Sequence, residues 1–513
     1  MIRQRFQFLC QERKFAMEWT RELRCKPYAD WGAKTLLDLQ AQAASSDYKL
    51  GYHIMPTSGL LNDPNGFSYY NGYWHVFYQS YPFGPVHGLK SWNHMRSKDL
   101  VHWENLGLGL NPDFEYDKNG AYSGSALQIG DKLFIMYNGN SRDENWVRHP
   151  YQLGAWMDEN NRIEKLPEPL ITQPDHVTEH FRDPQIIKHK DEYYAIIGAQ
   201  DATQKDGRIS IYRSKDLLKN FEDLGYLHFT DENMGYMIEC PSLVFINDKP
   251  VLIFCPQGMD KNICPYDNIY PNNYVIGDSV NLDAGRFEAS DKTVKNLDEG
   301  FDVYASQAFN APDGKAYLIS WTGLPEIEYP TDKENWAHCL SQVKELSLTD
   351  KGELIQRPVK TMADLRYDGL PLTQEQGMDH IQNLVSDTGS QYELKLTLDA
   401  NQKGILHLEK NGSNNQSLKL VFDTEEGSLT LDRGNSGKVF ATEFGTKRTT
   451  LVAKNAPIEL DVFVDNSICE IFINGGKKTM TARFFPEKGQ KSIAIESQSD
   501  VKYRGTFWKM QSI

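Results

Sequence analysis

The stretch FSYYNGYWHVFYQ, Phe67 to Gln79, decides how the chain is read. Two aromatic, alternating runs flank Asn71-Gly72, a pair suited to a type I′ turn because both central residues of that turn need φ > 0. It predicts a tight antiparallel hairpin. The same texture returns in LQIGDKLFIMYNG (127–139), IIKHKDEYYAIIG (186–198) and LVFINDKPVLIFC (243–255), each a strand, a polar turn and a strand. Successive hairpins of this kind imply an all-β fold.

A longer period emerges from the polar residues shortly before successive strand pairs: Asp63, Ser123, Asp183, Glu239 and Tyr304. Their steps are 60, 60, 56 and 65 residues. A unit of that length holds about four short strands, and five units predict a five-bladed β-propeller whose innermost strands bring distant residues to one axis. From about Tyr367 the texture changes to shorter alternating strands, YELKLTLDA (392–400), SLKLVFDTEEGSLTLD (417–432) and IELDVFVDNSICEIFING (458–475). These predict a C-terminal β-sandwich, with a structural role for Asp465 and Glu470. The expected division is 17–49 as an N-terminal helical segment, 50–350 as the propeller, 351–366 as a linker and 367–513 as the sandwich. Residues 1–16 read as a non-native or disordered extension ahead of Met17.

Composition narrows the function. The chain has 513 residues, and 55 Lys+Arg against 70 Asp+Glu give a net charge of −15. Such a field repels nucleic acid, and an anionic ligand needs a local basic cluster. Seven scattered cysteines without a CxxC pair predict neither a disulfide framework nor a zinc site. No apolar run is long enough to span a membrane, and the first residues lack the pattern of a signal peptide. The expectation is a cytoplasmic protein acting on a small molecule, without cofactor or metal. Composition is silent on oligomeric state.

GLLNDPNGF, Gly59 to Phe67, reads by itself as a turn. Asp183 and Glu239 change that reading, because the propeller period brings all three carboxyl groups to one funnel. Cleavage of a glycosidic bond needs two carboxyls in different protonation states. Asp63, between Asn62 and Asn65, is expected to stay ionised, as is Asp183 beside Arg182. Glu239, between Ile238 and Cys240-Pro241, is expected to have an apolar surrounding that suits a general acid. Cys240 reads either as a tuner of that acid or as a small filler. Trp92 and Trp321 read as core aromatics or as sugar-stacking faces, and Trp336 is given no role.

The motifs LNDPNG, FYQ (77–79), YSGS (122–125), FRDP and EC, in this order, resemble glycoside hydrolase family 32, the invertase and levanase family, over about residues 50 to 510. The resemblance implies a propeller followed by a sandwich, and a retaining mechanism on β-fructofuranosides. It implies Asp63 as nucleophile, Glu239 as acid/base and Asp183 as transition-state stabiliser, with Asn62, Gln79, Ser123, Arg182 and Tyr304 binding substrate. Retention implies nucleophile and acid/base carboxyls roughly 5–5.5 Å apart. His87 stands where many members carry tryptophan, and SRDENWVRHPYQLGAW (141–156) resembles the intracellular branch that acts on sucrose 6-phosphate. Lys90, Arg148 and His149 are then candidates to bind the phosphate. The expected activity is hydrolysis of sucrose 6-phosphate, and of sucrose, to fructose and glucose 6-phosphate or glucose. A fructan-degrading exo-hydrolase and a non-catalytic carbohydrate-binding propeller remain the alternatives.

Overall fold

The computed structural model describes residues 17–374 and 380–513, so the expectation for residues 1–16 lies outside the described residues. The protein is all-β apart from short helices near its start and a few 3₁₀ turns. The helical segment expected over 17–49 is interrupted: Arg21–Arg24 and Ala33–Ala44 are helical, with a 3₁₀ turn at Tyr28–Asp30 between them. Pro27, which lacks a backbone donor, and Gly32, at the start of the second helix, account for the break. Among the described residues no helix is long and apolar enough to cross a membrane.

Asn71 and Gly72 have φ of 48° and 75°, and Tyr70 faces Tyr73 across the turn. The hairpin read from Phe67–Gln79 is therefore present. Asn247-Asp248 closes Ile246 onto Lys249 in the same manner, with φ of 50° and 64°. Such hairpins extend into five sheets whose first strands are Gly59–Tyr70, Ala121–Ile129, Val177–His189, Met237–Ile246 and Val303–Asn310. We refer to them as sheets one to five. Sheet one also takes in Trp336–Ala337, parallel to Gly59–Leu60, so chain from beyond sheet five's second strand is tied to the start of the ring.

Each sheet is buried on both faces. In sheet two, Leu133 and Ile135 join a core with Phe77 and Trp92 of sheet one, whereas Phe134 and Met136 join one with Ile186 and Ile197 of sheet three. Ile196 turns the other way, toward Leu243 and Phe254 of sheet four. Val244 and Ile253 meet Leu318 of sheet five, and Ile319 and Trp321 meet Val76 and Tyr78 of sheet one. This two-sided burial explains why FIMY, YAII and VLIF are continuous apolar runs rather than strict alternations. Five cores between neighbouring sheets close a ring.

Polar side chains close the ring a second time. Asn65 Oδ1 accepts from Gly124 N–H, Ser125 Oγ from Ile186 N–H, Gln185 Oε1 from Leu243 N–H, Ser242 Oγ from Ala308 N–H, and Gln307 Oε1 from Phe67 N–H. Each sheet thus holds the innermost strand of the next. These bonds satisfy backbone donors that have no strand partner on the axis side.

Downstream, two six-stranded antiparallel sheets pack face to face over a core that includes Leu394, Leu406, Leu420, Ile471 and Ile493. This is the C-terminal β-sandwich. His53, at the entry to sheet one, is clamped between sandwich carboxylates: Nδ1 lies 2.9 Å from Asp465 and Nε2 2.9 Å from Glu470. Burial works against the imidazolium, but the two carboxylates raise its pKa to about 9. The structural role read for Asp465 and Glu470 is therefore a bond between the two parts of the chain. A raised folded-state pKa means His53 contributes most below its ordinary value of 6.5, and that contribution is lost as pH rises through about 9. Removing one member of a buried pair leaves the other charge uncompensated, so H53A is expected to cost about 3–5 kcal/mol. Chemical denaturation at pH 6 and pH 10 checks this, with the larger difference expected at pH 6.

Candidate active site

At one equivalent place, each first strand slips register against its second strand by one extra residue. The slips lie between Leu61 and Pro64, Ala121 and Gly124, Arg182 and Gln185, Glu239 and Ser242, and Tyr304 and Gln307. A bulge re-aims the side chains it carries. Asp183, Cys240 and Ala305 occupy matching places in three bulges and share positive φ, at 63°, 49° and 47°. The repeat is thus one residue out of step with the spacing read from sequence. The place that Glu239 holds in sheet four belongs to Arg182 in sheet three, not to Asp183.

Around Asp63 the bulges assemble a polar shell. Ser123 Oγ donates to Asp63 Oδ2 at 2.5 Å, and Asn62 Nδ2 donates to Asp63 Oδ1 at 3.0 Å. Gln79 Nε2 reaches Ser123 Oγ and lies 3.4 Å from Asp63 Oδ2, while its Oε1 accepts from Asn62. Asn65, in contrast, donates to the Asp63 backbone carbonyl rather than to the carboxyl. Burial, and Glu239's charge, push the Asp63 carboxyl above its ordinary value, against the hydrogen bonds of Ser123 and Asn62. Of the two asparagines flanking Asp63, on which its expected ionisation rests, only Asn62 reaches the carboxyl, and burial works against the charge.

Asp183 is also corrected. Arg182 Nε is 4.0 Å from Asp183 Oδ2, but its fork is directed at Glu239 Oε1, with Nε at 3.0 Å and Nη2 at 2.7 Å. Burial first, then Glu239 and Asp63, push Asp183 up to about 7, although Arg182 opposes them. Nor does Glu239 sit among apolar side chains. Gln257 Nε2 at 2.7 Å and Tyr304 OH at 2.6 Å donate to its Oε2, so four donors from three residues fix the carboxyl. Sequence neighbours in a bulged strand point away from one another, which is why Ile238 and Pro241 do not define its surroundings.

Cys240 links the trio. Its thiol lies 3.7 Å from Asp63 Oδ2 and 3.6 Å from Asp183 Oδ2, and its backbone N–H donates to Asp183 at 3.1 Å. The ligand atoms of Asp63, Asp183 and Cys240 lie within 4.8 Å of one another. Burial and the adjoining carboxylates push the thiol well above its ordinary value, so it remains S–H and acts as a donor to both.

The three phosphate candidates have different surroundings. Lys90 is buried, donates to Asn62 Oδ1 at 2.5 Å, and is lowered by burial to about 7. It therefore backs the shell of Asp63. Arg148 and His149 are successive on one strand and face opposite ways. His149 is exposed and paired with Asp143 at 3.2 Å, whereas Arg148 is half-buried near Tyr122 and Arg182, with its Nε unpartnered. Trp92 and Trp336 are core, and Trp321 is buried beside Tyr304 and His87. Gln257 and His180, which meets Arg182 Nη1 at 3.0 Å, escape a reading from sequence. The available signal for Gln257 was that it ends the second strand of sheet four, as Gln79 lies near the end of that strand in sheet one.

Carboxyl groups delivered by separate strands to one axis, one of them fixed by an arginine fork, are the equipment of a glycoside-cleaving enzyme. The family description "Glycosyl hydrolases family 32 N-terminal domain" matches residues 53–358, and "Glycosyl hydrolases family 32 C terminal" matches 367–509. The chain belongs to glycosyl hydrolase family 32. It is 48% identical to a sucrose-6-phosphate hydrolase of Pediococcus pentosaceus, over 96% of this chain and 97% of the relative. It is 46% identical to one of Streptococcus mutans, over 94% and 98%. Among solved structures, the sucrose-6-phosphate hydrolase of Lactobacillus gasseri superposes with a TM-score of 0.93 at 54% identity, covering 96% of this chain and all of that one.

Proposed function

We propose that the protein hydrolyses the β-fructofuranosidic bond of sucrose 6-phosphate, and of sucrose, with retention of configuration. The observation that carries this reading is that Asp63 and Asp183 meet at the Cys240 thiol while Arg182, 4.0 Å from Asp183, turns its fork to Glu239, which Gln257 and Tyr304 also hold. The similarity to enzymes named for sucrose 6-phosphate supports the substrate. In this reading the five sheets are the blades of a propeller spanning 50–350, joined through 351–366 to the sandwich at 367–513. The protein works in the cytoplasm, where a phosphorylated sugar is retained and free thiols such as Cys240, Cys255 and Cys339 persist.

Asp63 attacks the anomeric carbon of the fructosyl unit as its bond to the glucosyl oxygen breaks, and Glu239 delivers a proton to that oxygen. Glu239 then takes a proton from water, whose oxygen displaces Asp63 and releases fructose. Glu239 must hold a proton at the start, and the Tyr304 hydroxyl, which can rotate from donor to acceptor, allows both states. Asp183 accepts hydrogen bonds from fructosyl hydroxyls, and its charge favours the cationic transition state. Asn62, Gln79 and Ser123 hold Asp63 in line.

Proton NMR of the reaction as it runs tests the scheme. Fructose is expected to appear first as the β-furanose, with kcat/KM at least ~10-fold higher for sucrose 6-phosphate than for sucrose. First appearance of the α-anomer would replace retention by inversion. A ratio near one would remove the phosphate from recognition.

A further inference from the structure

Outside the carboxylate site, a cavity of about 330 Å³ lies between the N-terminal segment and sheets one and two. Arg21, Arg24 and Arg142 line it, together with Trp146, Tyr122 and His87. Among the described residues, the ion pairs of the structure include none of these three arginines, in a chain of net charge −15. Arg142 and Arg148 face each other directly across their hairpin, which adds a fourth guanidinium at the cavity's edge. Arg148 is half-buried, and its Nε is shielded from solvent without a partner.

Guanidiniums held together repel one another, Arg21 and Arg24 at the exposed rim and Arg142 further in, and an anion placed among them offsets that repulsion. Their geometry is prepared. Arg21 and Arg142 stand over the Trp146 ring, with Cζ at 4.8 and 5.0 Å from its centroid, a stacking that leaves the N–H edges free. Arg142 Nη1 is tied to the Trp146 carbonyl at 2.8 Å, and Arg24 Nε to the Trp19 carbonyl at 3.1 Å, so both forks are oriented before any ligand arrives. Trp146 itself has a φ of 66°, a strained value for a large residue at the tip of a hairpin.

Two of the cavity's lining residues are chain neighbours of the shell around Asp63. Tyr122 precedes Ser123, which donates to Asp63, and His87 lies three residues before Lys90, which holds Asn62. We propose that this cavity is the subsite for the phosphate on the glucosyl unit, gripped by Arg24 and Arg142 with Arg21 and Arg148 in support, so that the N-terminal segment supplies part of the substrate specificity. The proposal rests on the reading of the substrate given above. It replaces Lys90 and His149 as direct phosphate ligands and keeps Arg148.

Calorimetric titration of the full chain with glucose 6-phosphate reads the cavity whether or not the protein hydrolyses anything. The wild type is expected to bind glucose 6-phosphate more tightly than glucose. Each guanidinium–phosphate contact is worth about tenfold, so the R24A/R142A variant is expected to weaken glucose 6-phosphate by about a hundredfold. The kcat/KM ratio of sucrose 6-phosphate to sucrose should fall with it, through KM. If the double variant does not fold, R142Q alone is expected to give about a tenfold loss. Equal affinity of the wild type for glucose and glucose 6-phosphate, or an unchanged Kd in a folded variant, would overturn the assignment. Failure of the wild type to release fructose from either sugar would instead overturn the proposed reaction, and the binding measurement would still decide the cavity.

Discussion

D63A is expected to lower kcat/KM on sucrose 6-phosphate by about 10⁴-fold or more, the scale set by removal of a nucleophile from other enzymes that work through covalent intermediates. The loss should fall on kcat, since alanine offers no atom to attack the anomeric carbon and the hexose walls remain in place. Stability should not fall with it. Asp63 is buried among Glu239, Asp183 and Cys240, and its carboxyl is pushed above the ordinary range by that company, so its removal relieves repulsion. Steady-state kinetics beside a melting curve separates the two effects. A variant that loses activity only because it unfolds would argue that Asp63 is a turn residue after all.

E239Q is expected to lower kcat on sucrose 6-phosphate by about 10²–10⁴-fold, the usual contribution of a positioned proton donor. Glutamine keeps the shape and one acceptor for the Arg182 fork, but it has no proton to deliver. Two further readouts separate an acid/base role from a purely structural one. The pH profile should lose the limb set by this group, and a fructosyl donor whose leaving group needs no proton should be spared in the first step while the second step remains slow. Equal losses on both donors would point to disrupted positioning of Arg182, Gln257 and Tyr304 instead.

The hairpin at Phe67–Gln79 and the spacing of the polar residues made the succession of sheets legible, because Asn-Gly turns and apolar runs are local signals. The three carboxyl groups were legible for a related reason: a period good to a residue or two brings one bulge from each sheet to the axis, although Asp63, Asp183 and Glu239 hold different places within their bulges. What failed was local inference about charge. Arg182 adjoins Asp183 in sequence but turns its fork to Glu239, because the bulge between Arg182 and Gln185 sends neighbours in different directions. The surroundings of Glu239 come from Gln257 on its partner strand and from Arg182 and Tyr304 on other sheets, contacts that no stretch of sequence contains. Lys90 reads as an anion ligand because it is a cation near His87 in an acidic chain, yet its ammonium is buried against Asn62. Arg21 and Arg24 carry no motif that marks them in the sequence, and only the folded chain puts them in one cavity with Arg142.

The central claim is that Asp63 becomes covalently bonded to fructose during turnover. The direct test is mass spectrometry of peptides from E239Q, quenched during reaction with an activated β-fructofuranosyl donor, because this variant should form the ester normally and hydrolyse it slowly. We expect the peptide that contains Asp63 to gain the mass of one anhydrofructosyl unit, localised to that aspartate by fragmentation. Release of the leaving group with no adduct, or an adduct on any other residue, would contradict the account.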